Sequence, residues 1–167
     1  HFGGFPYGSD FRSVESQADY FATQVCTQLM WEGQPEINAL FVDAVDPYSK
    51  NLCQNYWSRN EDRDLCYRAI HASTALSEAM VSFLKSLGIN ESVPAPSTPD
   101  SSVVESTVTL YPSFQCRLDT FLAGALCDKK FDLTAIPGKA FPLEGRNELQ
   151  AETMADFSAC AHGPTAK

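Results

Sequence analysis

The chain has 167 residues and a formal charge of −9, from 12 Lys+Arg against 21 Asp+Glu. That balance argues against nucleic-acid backbones or anionic membrane surfaces as the main partner, since both need basic patches. Hydrophobic residues make up 44%, enough for a core at this length and too many for a chain disordered throughout. One domain, 1–167, is the expectation, and no apolar run approaches the roughly 20 residues that span a bilayer. No charged-then-apolar leader precedes His1, so either a signal segment was removed or the sequence begins internally.

In chain order, residues 1–12 read as a loop, with three glycines and Pro6. The first predicted helix runs from Val14 to Trp31. Val14, Ala18, Phe21, Val25 and Leu29 recur at three- and four-residue steps and share a face. Ser13 suits its N-cap, and Gly33-Gln34-Pro35 stops it. Residues 36–46 predict a short helix ending before Pro47, followed by a polar connector carrying Cys53 and Trp57. Asn60 is the expected cap of the longest helix, with Glu61 and Asp62 in a first turn that favours acids. Leu65, Ala69, Ile70, Ser73, Leu76, Met80, Phe83, Leu84 and Leu87 keep helical spacing up to Gly88, the expected stop. Residues 89–112 read as a long proline-rich surface segment, with Val103-Val104 and 108–111 as extended pieces. Ser113 caps a predicted helix from Phe114 to Cys127, with Phe114, Leu118, Phe121, Leu122 and Ala125 inside. Residues 128–147 look irregular and 148–161 predict a last helix. The fold class is therefore mainly α.

Six cysteines stand at 26, 53, 66, 116, 127 and 160 without a zinc-type CxxC pair. An even count without that spacing predicts three disulfides and an oxidising compartment: secreted, periplasmic or cell-envelope. The expected pairing is Cys53–Cys66, Cys26–Cys116 and Cys127–Cys160. Cys116 and Cys127 are too far apart on one predicted helix to bond, about 16 Å of rise.

Candidate chemistry concentrates in Glu15-Ser16-Gln17-Ala18-Asp19-Tyr20-Phe21-Ala22. Glu15 and Asp19 are four apart, so their carboxylates share one stripe and repel unless a cation or a hydrogen-bond donor lies between them. A solvated acidic helix face is the plain reading. Ala18, Tyr20, Phe21 and Ala22 leave little polar face there, which weighs against it.

Glu-x-x-Ala-Asp followed by aromatic-Ala resembles the third-ligand helix of gluzincin metallopeptidases. His1-Phe2-Gly3-Gly4 resembles the glycine-stopped tail of their His-Glu-x-x-His helix. Gln115-Cys116-Arg117-Leu118-Asp119-Thr120 and Gly124-Ala125-Leu126-Cys127 resemble stretches of a group of secreted bacterial proteins with that motif pair. The resemblance implies the C-terminal portion of a zincin-like metallopeptidase, with zinc as cofactor and a peptide or protein as substrate. It implies Glu15 as a zinc ligand and Asp19 as the acid that orients a ligand histidine by accepting its N–H. His1 reads as the second histidine ligand, as the neighbour of that ligand, or as a terminal histidine with no role. The first histidine and general-base glutamate of His-Glu-x-x-His are missing, so an N-terminal segment or chain would have to supply them. Without it the chain would be inactive alone.

The remaining candidates have plainer readings. Arg117 and Asp119 read as structural groups that pair with neighbours and hold their helix against the first one. His71 reads as an ordinary helix histidine, and His162 as a tail residue without a role. No Gly-x-Ser-x-Gly or phosphate loop is present, and the cysteine count suits disulfides better than nucleophiles. The rival to the peptidase is a non-enzymatic secreted helical binding module, meeting its partner through the acidic surface and the proline-rich segment.

Overall fold

The structure, a computed structural model, describes residues 15–100 and 111–128. Within them the chain is helical, with no strand, and one disulfide joins Cys53 to Cys66. No helix among them is long and apolar enough to cross a membrane.

The first helix is continuous but not uniform. An α-helical turn, α1 (Glu15–Phe21), passes through a π-helical stretch (Ala22–Cys26) into α2 (Thr27–Trp31). The wider π turn rotates the phase of the side chains that follow. Leu29, expected on the inner face, is therefore 71% exposed, and the buried residues are Asp19, Tyr20, Thr23, Gln24, Val25 and Thr27. The threonines bury without cost in unmet donors: Thr27 donates to the Thr23 carbonyl (2.7 Å) and Thr23 to that of Tyr20 (3.2 Å). Val14 and the cap at Ser13 lie outside the described residues.

After Gly33 come a single α-turn, α3 (Pro35–Asn38), and a 3₁₀ turn (Ala39–Phe41), shorter than the helix expected to reach residue 46. The connector expected next is a helix, α4 (Pro47–Tyr56). Asp46 Oδ1 accepts the backbone N–H groups of Tyr48 (3.0 Å) and Ser49 (3.1 Å), and Pro47 takes the first helical position. Asp-Pro here is a start signal rather than a stop.

The long helix, α5 (Asn60–Ser86), starts at its expected cap: Arg59 takes the cap position, one residue earlier, and Asn60 receives Arg63 instead. It ends as expected. Gly88 has φ +81°, its N–H bonds Lys85 O, and Ile89 N–H reaches back to Leu84 O, closing a Schellman motif. The inner face is shifted from the one the large apolar residues suggested. Cys66, Ile70, Ser73, Ser77 and Val81 are buried, whereas Leu76, Phe83 and Leu87 are 48%, 64% and 59% exposed. The two serines donate to carbonyls one turn back, so they pack like small apolar residues.

Helix α6 (Phe114–Ala125) has the expected cap, Ser113 Oγ accepting Cys116 N–H at 3.2 Å. Leu118 and Leu122 are fully buried and meet Leu52, Ile70 and the Cys53–Cys66 bridge in the core. Nearby, the Arg68 guanidinium lies 4.2 Å from the Trp31 ring centre and 5.6 Å from that of Phe41, and donates to Gln34 and Asn38.

Helices α1 and α6 run parallel: Arg117 meets Asp19, Gly124 meets Tyr20 and Thr23, and Cys127 meets Gln24. That direction overturns one expected disulfide. Cys116 lies level with the start of α1, and Cys26 lies on the order of 15 Å farther along. The bridge needs α-carbons within about 7 Å, and both residues are free thiols. Cys127 is disulfide-bonded, while its expected partner Cys160 lies outside the described residues. So do the loop at 1–12, most of the extended pieces expected at 103–111, and the elements expected beyond residue 128.

Candidate functional site: an acidic pair closed by arginine

The two carboxylates that stood out in the sequence lie on α1 against α6. Asp19 is buried, and Arg117 grips it with both arms of its guanidinium: Nε donates to Oδ2 at 2.7 Å and Nη2 to Oδ1 at 2.8 Å. The same Nη2 lies 3.3 Å from Glu15 Oε2. One cation thus bridges two acids a helical turn apart, which resolves the repulsion their spacing creates. The structural reading of Arg117 is borne out: it ties α6 to the first helix across 98 residues of sequence.

The acids differ in setting. The Asp19 side chain is 6% exposed and that of Glu15 28%. Burial pushes the Asp19 carboxyl up, the Arg117 hydrogen bonds pull it down, and the nearby Glu15 charge adds to the rise. Arg117 is held more firmly charged by its hydrogen bonds to Asp19. Glu15 engages through Oε2 alone, and Oε1 has no partner among the described residues.

Close approach of the helices makes this possible. A Cβ at Gly124 would stand 2.5 Å from the Tyr20 carbonyl oxygen and would also strike Thr23 Oγ1. An interior helical glycine is a readable sign of such packing.

Arg117 points toward α1, while its neighbours hold the proline-rich segment. The Gln115 amide pairs with both backbone groups of Ala95, each at 3.0 Å. Asp119 Oδ2 accepts Asp100 N–H at 2.7 Å, and Asp119 Oδ1 accepts Gln115 Nε2 at 2.9 Å. Asp119 is therefore structural as expected, though its contact is the segment rather than the first helix. Gln115 was not singled out, although Gln and Asp four apart is a helical pairing signal. His71 is partnered: Nδ1 lies 3.1 Å from the Ala44 carbonyl oxygen, and its ring packs 5.3 Å from that of Phe41. His1 and His162 lie outside the described residues.

Among the described residues no group of three or more His, Cys, Asp or Glu is gathered around one point. Any metal held by Glu15 would draw its other ligands from elsewhere. No protein-family profile, curated protein or solved structure matches the chain.

Proposed function

We propose that this chain carries one half of a zinc-dependent peptide-hydrolysing site, with Glu15 as the carboxylate ligand and Asp19 as the acid behind it. The observation that carries the reading is the division of labour between the two. Arg117 fixes Asp19 through both oxygens, while Glu15, on a partly exposed side chain, keeps one oxygen unengaged among the described residues. A zincin-like site asks for those two roles. The donor set fits as a partial site, with His1 the expected neighbour and the remaining histidine and general base supplied by a preceding segment.

Held by Glu15 and the histidines, zinc would supply Lewis acidity toward a peptide carbonyl and a water. The chain's own contribution is positional. Arg117 holds Asp19 at a fixed angle, and the second lone pair on each Asp19 oxygen remains suited to an imidazole N–H. Among the described residues Glu15 has one longer contact, to Arg117, to give up or share. The Cys53–Cys66 disulfide accords with the further proposal that the protein works outside the reducing cytosol.

A second reading rests on the same arginine. Arg117 bridges both acids without a metal, so the cluster also serves as a clamp in a non-enzymatic secreted binding module. Hydrolysis of an unstructured protein substrate such as casein by the full native protein separates the two. The peptidase reading predicts cleavage that a chelator stops and that Glu15→Ala abolishes. No cleavage at all favours the binding module, and cleavage that ignores chelator and substitution overturns the zinc reading.

A further inference from the structure

A cleft of about 380 Å³, lined by none of Glu15, Asp19 or Arg117, lies between α5, the turn at 44–46 and the proline-rich segment. Its size lies in the range of small-ligand pockets. Its floor is apolar, with Ile70 buried and Pro94 and Pro96 opposite. Its polar side chains are unusual in kind. His71, Thr74 and Glu78 follow one another along the α5 face of the cleft. A carbonyl oxygen only accepts, so the neutral His71 ring carries its proton on Nδ1 toward Ala44 and leaves Nε2 a bare acceptor. Thr74 donates its hydroxyl proton to the Ile70 carbonyl at 3.0 Å, which leaves its oxygen lone pairs facing outward. Glu78 is exposed and has no ion-pair partner among the described residues.

The opposite wall has one side-chain donor, the Ser97 hydroxyl. Pro94 and Pro96 have no N–H. The N–H of Ala95, between them, is taken by Gln115. No lysine or arginine lines the cleft, and its charged side chains are Glu78 and Asp46. Asp46 is already committed to capping α4. The cleft therefore offers mainly acceptors, one available carboxylate and an apolar floor, with the Ser97 hydroxyl as its side-chain donor. It carries negative charge and no positive side chain, which favours a cation over an anion.

We propose that this cleft binds the side chain of a lysine in a peptide or protein partner. The aliphatic stem lies over Ile70 and the two prolines, and the ammonium donates to Glu78, Thr74 Oγ1 and His71 Nε2. An ammonium brings three donors and no acceptor, the complement of this lining. The proposal stands apart from the zinc reading, since it uses none of Glu15, Asp19 or Arg117.

The test is an NMR titration of the full chain with N-acetyl-lysine methylamide, beside N-acetyl-norleucine methylamide, which has the stem without the charge. The lysine probe should shift the amide resonances of His71, Thr74 and Glu78 saturably, and the norleucine probe should not. Glu78→Gln, at an exposed position that leaves folding alone, should weaken the lysine probe by about three- to fivefold. No saturable shift at these residues overturns the proposal, as does equal binding of norleucine or undiminished binding by Glu78→Gln.

Discussion

Two seams hold α6 in place, and they are built on opposite principles. Against α5 it presents Leu118 and Leu122, fully buried beside the Cys53–Cys66 bridge, so that seam is apolar and backed by the disulfide that ties α4 to α5. Against α1 it presents Arg117 and Gly124, and meets Asp19, Thr23 and Gln24. An apolar seam tolerates small shifts, because burial has no direction. A bidentate guanidinium–carboxylate pair fixes angle and register together. A fold gains little net stability from burying such a pair, since desolvation offsets most of the attraction. The polar seam therefore makes sense as a device for holding carboxylates at set positions.

The comparison can be broken first at Arg117. Arg117→Met leaves Asp19 buried without a counter-charge and should cost about 3–5 kcal/mol in urea unfolding. Adding Asp19→Leu should restore part of that, with a coupling of about 1–3 kcal/mol. Additive losses would mean that the pair is not a unit. On the other seam, replacing Cys53 and Cys66 together by alanine opens a loop of 13 residues and should cost about 3 kcal/mol by the same measurement. Gly124→Ala forces a methyl group toward the Tyr20 carbonyl and should lower stability by about 1–3 kcal/mol, read as a fall in Tm.

The smallest effect is chemical. Burial, then the charges of Asp100, Asp119 and Asp19, push the Cys116 thiol pKa up. A raised thiol pKa means less thiolate at about pH 8 than in an unfolded chain. Iodoacetamide should therefore label Cys116 more slowly in the folded protein than in urea, by mass spectrometry. The difference should narrow as pH rises.

Parts of this arrangement were legible in the sequence. Local rules placed the Ser113 cap and the Gly88 stop, and the three- and four-residue spacing of Leu118, Phe121, Leu122 and Ala125 gave the inner face of α6. The spacing of Glu15 and Asp19 also posed the right question, since it demanded a cation or a donor. That Arg117 answers it depends on two helices 98 residues apart packing in parallel, which no local pattern encodes. The buried faces of α1 and α5 were misplaced for a related reason. Leu29 and Phe83 looked like core, but a π turn rotated the first helix, and on the other Ser77, satisfied by its own helix, took an inner position beside the expected Ser73. Asp46-Pro47 was read as an end because proline stops helices more conspicuously than it starts them.

The central claim is that Glu15 is presented for a metal while Asp19 is held in reserve behind it. Elemental analysis of the full native protein, wild type against Glu15→Gln, tests it most directly, with thermal unfolding measured on both. An equivalent of zinc per wild-type chain that is lost in Glu15→Gln at unchanged Tm is the predicted result. Zinc absent from the wild type, or retained undiminished in the variant, would contradict it.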